Sequence, residues 1–299
     1  MDRLREMELF VAVVDAGGLA NGGRRLGMSA PAVSRGLASL EERLGVRLLQ
    51  RTTRSISLTD AGARYLESTR RLLEELSLAE QDAAGEAEAP RGHLNITASV
   101  AFGRTALPPV LRSFLAAYPD ITASVLLLDR IVHLVEEGVD IAVRIGELAD
   151  SSMVARRVGN VRRMLFASPA YLTRRGIPQR PVDLRNHDVI AFTGLMPQRE
   201  WRHVVNGASR AVTVRPRLEI NDAMTCIDAA SQGEGITIAL TYMVADALRA
   251  GTLVPVLEAF APPAVPVHLV HSDARLTAPK LRAFLDHAAP RLQRQLRAL

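Results

Sequence analysis

The chain is poor in the residues that build disulfide frameworks, metal clusters and membrane spans. Cys226 is its single cysteine, which excludes an internal disulfide and any multi-cysteine metal site. Within Met224-Thr225-Cys226-Ile227 it reads as a small core residue rather than a nucleophile. No apolar run approaches the ~18 residues of a membrane helix, and Met1-Asp2-Arg3-Leu4-Arg5-Glu6 lacks the apolar segment of a signal peptide. A cytoplasmic chain with no membrane partner is therefore expected, which leaves the sequon Asn95-Ile96-Thr97 without a role. There is no phosphate-binding loop and no G-x-S-x-G elbow, and the seven histidines, among them His93, His133, His187, His203 and His287, are scattered. No catalytic residue, metal or cofactor is expected on these grounds. The single tryptophan, Trp201, reads as a packing residue.

Lysine is nearly absent as well: Lys280 is the only one among 37 basic residues. The remaining positive charge is arginine, whose planar fork suits phosphates and guanine edges, although a GC-rich coding bias enriches it too. A net charge of +5 and a pI near 10.1 fit a polyanionic partner, but by themselves speak only to solubility and non-specific attraction. What is present in quantity is apolar surface. At 299 residues and 48% hydrophobic content, the chain can bury a core in each of two or three domains.

In the first sixty or so residues Met7, Phe10, Val11, Val13 and Val14 recur at helical spacing, and Gly17-Gly18 ends that helix. A second helix is expected from about Leu19 to Leu26, closed by Gly27. Ser29 then offers a hydroxyl to cap a third helix, with Pro31 in its first turn, where a missing N–H costs nothing. Val33, Leu37, Leu40 and Leu44 share one face of that helix, while Ala30, Ser34, Arg35 and Ala38 form a small, polar opposite face able to enter a major groove. The run Arg51-Thr52-Thr53-Arg54 precedes the alternating Ile56 and Leu58, so a hairpin wing is expected to bring two guanidinium groups to phosphates or the minor groove.

The segments Arg24-Arg25-Leu26-Gly27-Met28-Ser29, Pro31-Ala32-Val33-Ser34, Leu40-Glu41-Glu42-Arg43-Leu44-Gly45-Val46-Arg47-Leu48-Leu49-Gln50-Arg51-Thr52 and Leu58-Thr59-Asp60-Ala61-Gly62 resemble the LysR-type transcriptional regulators. The resemblance implies a winged helix-turn-helix at residues 1–59 that binds double-stranded DNA. It puts Ser34, Arg35 and Arg54 at DNA contacts, and Ser29 and Thr52 at phosphates. Two departures stand out. Ala30 occupies a position where the family commonly has glutamine, so at most a thymine methyl is within its reach. Gly22 and Gly23 replace the usual alanines, and at about 1 kcal/mol each they lead to the expectation of a labile head that alanine at both positions stabilises.

From Asp60 to about Ala84 the chain is free of proline and rich in Leu, Ala, Glu and Arg. Leu66 and Leu73, with Thr69, Leu76 and Ala83, define one seam, and Tyr65, Leu72 and Ala79 a competing one. So broad an apolar side suits an antiparallel or bundled dimer, or a helix packed on its own domain. The family resemblance favours pairing through this linker, residues 60–89, into a homodimer or homotetramer. Gly85 to Gly92, with Pro90, then breaks the helix.

Residues 90–299 alternate short apolar strands with helices, predicting a mainly parallel α/β body covered by helices. Strands are expected at Leu94 to Ala98, Thr122 to Leu128, Ile141 to Ile145, Met164 to Ala167, Val189 to Phe192, Val212 to Leu218, Ile236 to Leu240, Leu253 to Val256 and Val265 to Val270. Helices are expected around Pro108 to Ala117, Ile131 to Glu137, Asp222 to Gln232, and from about Ala278 onward. Asp140-Ile141-Ala142-Val143-Arg144-Ile145-Gly146, Ser168-Pro169-Ala170-Tyr171-Leu172 and Gly233-Glu234-Gly235-Ile236 are similar to the LysR effector domain, itself like periplasmic solute-binding proteins. The similarity implies two α/β lobes, about 90–161 plus 266–299 and about 162–265, around a cleft for a small organic effector such as an organic acid. It places Ser99, Val100 and Phe102 at the cleft, where free N–H groups receive a carboxylate, with Arg144 adding charge and Thr193 and Asn221 facing them. The plainer readings are that Ser99 and Asn221 cap helices and that Arg144 pairs with Glu147. An effector-independent repressor, an α/β enzyme with an unrelated head and a solute-binding protein are the alternative readings of the whole chain.

Overall fold

The computed structural model describes residues 2–51, 56–83, 90–148, 153–272 and 278–297. The contacts divide the chain into two units, Met1–Ala89 and Pro90–Leu299.

In the first unit the helical apolar periodicity produces α1 (Arg3–Asp15), α2 (Leu19–Arg25) and α3 (Ala30–Leu44), with β1 (Leu49–Arg51) pairing antiparallel to β2 (Ile56–Leu58) and α4 (Asp60–Ala83) following. Leu9, Phe10, Val13, Val33, Leu37, Leu40 and Leu48 form the core. Three polar devices hold it. The buried Glu6 carboxylate accepts from Ser39 Oγ at 2.8 Å and from Arg43 Nε and Nη2 at 3.1 and 2.9 Å, tying α1 to α3. Glu41 Oε1 accepts the amides of Leu48 and Leu49, at 2.8 and 3.0 Å, and so fixes the turn into β1. Thr59 Oγ1 accepts from the Gly62 amide at 2.9 Å and caps α4.

Two expectations for this unit change. Ser29 stands at the cap of α3, but its hydroxyl accepts no capping bond. Gly22 and Gly23 are buried at the α1–α2 and α2–α3 contacts. A Cβ on Gly22 would lie 2.6 Å from Val13 Cα, and one on Gly23 would lie 2.6 Å from the Met28 carbonyl oxygen. The pair permits close helix packing, so the expected gain from alanine reverses. Along α4, Leu66 and Thr69 are buried and Tyr65 packs against Phe10, with ring centroids 5.5 Å apart, whereas Leu72 and Leu76 are exposed. The first turns of α4 thus belong to their own head, and the later turns carry bare leucines.

The second unit holds two five-stranded sheets. The first, in the order β4-β3-β5-β14-β6, contains β3 (Gly92–Ala98), β4 (Ile121–Leu127), β5 (Ile141–Ile145), β6 (Met153–Val161) and β14 (Val265–Ser272). It is covered by α5 (Val100–Thr105), α6 (Leu107–Ala117) and α10 (Pro279–Arg297). The second, in the order β11-β8-β12-β7-β13, contains β7 (Arg163–Ala167), β8 (Val189–Phe192), β11 (Pro216–Ile220), β12 (Ile236–Leu240) and β13 (Val254–Val256). It is accompanied by α7 (Pro169–Arg175), α8 (Ala223–Ser231), α9 (Ala245–Arg249) and a hairpin of β9 (Glu200–Val205) and β10 (Ala208–Thr213).

The sheets are mixed rather than mainly parallel. β3 runs parallel to β4 and β5, and β8 to β11 and β12, but β14, β6, β7 and β13 pair antiparallel. The antiparallel strands are those that carry the chain between the sheets, out at Val161–Arg163 and back between Val256 and Val265. Two elements also differ from expectation. Ile131 to Glu137 is not a helix but an irregular stretch leading into turns at Leu134 to Gly138, closed by Arg130 pairing with Glu137 at 2.6 Å. The single strand expected at Val212 to Leu218 is broken before Pro216, whose missing N–H starts a new strand, β11.

Candidate functional sites: an exposed recognition helix and an inter-lobe cleft

In the first unit the buried stripe Val33, Leu37 and Leu40 turns the opposite side of α3 outward. Ser29, Ala30, Pro31, Arg35 and Ala38 are exposed there, and Ser34 is half-buried at the edge of the face. Ser29, Ala30, Ser34 and Arg35 therefore gather at the N-terminal end of one helix, the end that enters a groove first in this kind of docking. Small side chains allow the backbone to approach, and Arg35 is exposed at the same surface. The pairing of Leu49 with Leu58 and Arg51 with Ile56 forms the stem of a hairpin. Thr52 and Arg54 lie outside the described residues.

The second site is a cavity of about 350 Å³ between the two sheets of the second unit. One wall comes from the turn after β3 and the end of β5, the other from the start of β7, the end of β8 and the start of α8. Ser99, Val100 and Arg144 line it, as expected from the sequence. Phe102 is fully buried beneath it and packs edge-on to Tyr242, with centroids 5.2 Å apart. Thr193 and Asn221 stand beside the lining residues Phe192, Gly194 and Asp222 without being among them. The Thr193 amide is engaged by the Ile220 carbonyl at 2.9 Å.

Hydrogen bonds decide what this cleft offers. Ser99 caps α5 by accepting from the Phe102 amide at 3.4 Å and lies 3.5 Å from the Tyr242 hydroxyl. The Val100 amide donates to Asp129 Oδ1 at 3.1 Å. The amides of Val100 and Phe102, expected to be free for a ligand carboxylate, are thus occupied by the protein's own oxygens. On the far wall α8 is capped by Asp222 rather than Asn221: Oδ1 accepts from the Thr225 hydroxyl and amide at 2.7 and 2.8 Å. Those bonds, the side-chain one foremost, hold the Asp222 carboxyl below its ordinary value. Asp222 also faces Arg104 across the cleft at 3.7 Å. Arg144 does not pair with Glu147; its Nη2 donates to the Val132 carbonyl at 2.5 Å, and burial lowers its pKa.

Sequence reasoning missed Arg163, which also lines the cavity. Its Nε is buried with no hydrogen-bond partner. The available signal was a charge at the threshold of the apolar strand Met164 to Ala167. Burial pushes its pKa down as well. Cys226 is fully buried beside the cleft wall in α8, and desolvation raises its thiol to about 11, consistent with a core role.

The family model of the bacterial regulatory helix-turn-helix protein, lysR family, matches residues 4–63, and that of the LysR substrate binding domain matches residues 87–293. The chain belongs to the LysR family of transcriptional regulators. It is 36% identical to a transcriptional regulator of Xanthomonas campestris over 97% of this chain and 85% of that protein. A transcriptional repressor of Pseudomonas aeruginosa is 35% identical, over 96% and 91%. The solved LysR-type regulator CrgA of Neisseria meningitidis shares 31% identity and a TM-score of 0.64, covering 96% of this chain and 98% of CrgA. Full-length CbnR, solved with its target DNA, agrees in fold at 22% identity and a TM-score of 0.53 over 98% of this chain and 100% of CbnR. As a LysR regulator the chain is a DNA-binding protein of mixed α/β architecture with a helix-turn-helix at its N-terminal end and a substrate-binding-type domain behind it. None of its described helices is long and apolar enough to cross a membrane.

Proposed function

We propose that this regulator grips operator DNA as a homodimer or homotetramer, and that a small organic effector in the inter-lobe cleft sets the strength or geometry of that grip. The observation that carries the proposal is the cavity of about 350 Å³, walled by both sheets and lined by charged and apolar groups together, which has the size and mixed chemistry of a small-molecule site. In the head, Ser34 and Arg35 read base edges, Ala30 meets a thymine methyl, and Ser29, Thr52 and Arg54 fix the phosphate register. In the cleft, Ser99, Val100 and Arg144 touch the effector, while Phe102, Thr193 and Asn221 shape the walls. Residues 1–59 form the DNA-reading head, 60–89 the pairing helix and 90–299 the sensor. Leu72 and Leu76, exposed on α4, suit a partner copy that covers them. The work is done in the cytoplasm, where the DNA is, and calls for no catalysis.

An effector changes transcription only to the extent that it binds two arrangements of the sensor with different affinity. A ligand screen by thermal melting of the full-length chain tests the sensor: a true effector raises stability as RT ln(1 + [L]/Kd) and shifts operator affinity in an anisotropy titration. A compound that stabilises the protein and leaves operator affinity and footprint unchanged would remove it from the effector class. For the head, Arg54→Ala weakens binding to every sequence and reduces the salt slope by about 1, whereas Ser34→Ala changes preference among operators. Equal loss on all sequences from both substitutions would reject this division.

A further inference from the structure

We propose that Arg163 recognises the anionic group of the effector, and that the effector of this chain is a small organic carboxylate with an apolar body. This rests on the reading of the cleft as the effector site and goes further by naming the residue that seats the ligand's charge.

Arg163 opens β7 immediately after the crossing from the first sheet to the second, separated from the end of β6 at Val161 by Arg162 alone. It therefore stands at the base of the cleft, on one of the two segments that join the lobes. It is among the residues that line the cavity. Its Nε is shielded from solvent without a hydrogen-bond partner, and desolvation acts on its charge with no carboxylate opposing it. A guanidinium offers five donors in a rigid fork, and holding one partly desolvated and unpaired is unfavourable. A structural arginine would be expected to bring its own acceptor. This one lines a cavity with its Nε left unpartnered.

The rest of the lining charge strengthens the assignment. Arg130 is bound by Glu137, Asp222 faces Arg104, and Asp129 accepts from the Val100 amide. Arg144, from the opposite lobe, donates to a backbone carbonyl and forms no ion pair among the described residues. Positive charge is thus in excess and comes from both lobes. The start of α5, where a carboxylate was expected from the sequence, already holds Asp129, and a second anion there would meet like charge. An incoming carboxylate is directed instead to Arg163, with Arg144 facing it across the cleft. Phe192, Leu240, Met243, Ile145 and Val265 supply the remaining wall and call for an apolar body.

The test is thermal melting and calorimetric titration of the full-length wild-type chain and of Arg163→Met and Arg163→Lys. Benzoate is compared with its neutral isostere benzamide at constant ionic strength set with chloride. Wild type is expected to bind benzoate at least about ten-fold more tightly than benzamide, the scale of a charge-assisted pair. Arg163→Met loses that preference while still binding benzamide, and without ligand it melts higher than wild type because an unpaired charge has gone. Arg163→Lys keeps part of the preference, and it decides the matter if the methionine variant does not fold. Equal binding of acid and amide by wild type, or a benzoate preference that survives in Arg163→Met, overturns the role of Arg163 while leaving the cleft an effector site. If neither compound binds, the assignment of Arg163 to an apolar carboxylate falls, while the cleft as an effector site stands or falls on the ligand screen.

Discussion

The head holds a buried charge, Glu6, and the sensor a half-buried one, Arg163, and the two are treated in opposite ways. In the head, Glu6 is 2% exposed and fully engaged: Ser39 and Arg43 supply three donors to its two oxygens. In the sensor, Arg163 is desolvated with its Nε unpartnered and no carboxylate beside it. Burial without partners is costly in either place, so the same desolvation carries different meanings. A charge that finds all its partners within the fold is a clamp, and its removal weakens the fold. A charge left open in a cavity is a receptor, and its removal relieves the fold and deprives a ligand.

The largest effect expected from breaking this contrast is in the clamp. Arg43→Met strips two charge-assisted donors from a buried carboxylate and leaves it with the Ser39 hydroxyl. The head should then melt earlier than with Glu6→Gln, which removes the charge along with the need for it. Loss of the charged hydrogen bonds in Glu6→Ala is worth about 1.5–3 kcal/mol. Burial acts to raise the Glu6 carboxyl, but the hydrogen bonds from Ser39 and Arg43 outweigh it and hold the pKa below 4.5. A carboxylate with a depressed folded value stabilises fully above its unfolded value and loses that contribution as pH falls through the folded one. Melting of the head in wild type and Glu6→Gln should therefore converge as pH drops below about 4. A gap between the two that stays constant across that range would show that Glu6 acts through shape and not charge.

Next in size is the pair Gly22 and Gly23, where propensity and packing oppose each other. Alanine gains about 1 kcal/mol in a helix interior, but a Cβ at Gly23 meets a carbonyl oxygen at 2.6 Å and Val33 Cγ2 at 2.9 Å. Overpacking of this kind costs about 1–3 kcal/mol, and a backbone atom yields less readily than a side-chain tip. Gly23→Ala is expected to lower the melting temperature of the head, and Gly22→Ala to do the same against the backbone of Val13. A rise in either would mean that α2 can shift outward without loss.

That reversal shows what one sequence can and cannot convey. Local periodicity places α1, α3, α4, β3, β5, β8, β12 and the helix that begins at Asp222 because the residues that decide them are neighbours in the chain. The β9–β10 hairpin was also legible in principle: Asn206-Gly207, both at positive φ, sits between two alternating strands and is a strong turn signal. The two glycines were misread because their cause lies across space, in Val13 and Met28. Arg163 was missed for the same reason. Its significance comes from the absence of an acceptor, and no spacing along a chain reveals which acidic residues fold away from a given arginine. Arg144 was placed at the cleft, but its plainer reading as a partner of Glu147 does not hold, because its acceptor, Val132, lies in a segment that folds without the expected helix.

The smallest effect expected separates clamp from receptor within the cleft itself. Ser99 faces the cavity, yet its oxygen already accepts the Phe102 amide, at 3.4 Å, and Tyr242 lies 3.5 Å away. By the logic that divides Glu6 from Arg163, Ser99 belongs with the clamps. Ser99→Ala should then cost the ligand-free sensor about 0.5–1 kcal/mol, as loss of a weak cap does, and lower benzoate and benzamide binding equally and slightly. Arg163→Met should do the reverse, raising the stability of the empty sensor and abolishing discrimination between acid and amide. Melting curves of both variants, each with and without the two ligands, place the residues on one plane of stability against selectivity. If Ser99→Ala moves along the selectivity axis as far as Arg163→Met does, a satisfied hydrogen bond is no guide to role in this cleft, and the distinction between Glu6 and Arg163 loses its force.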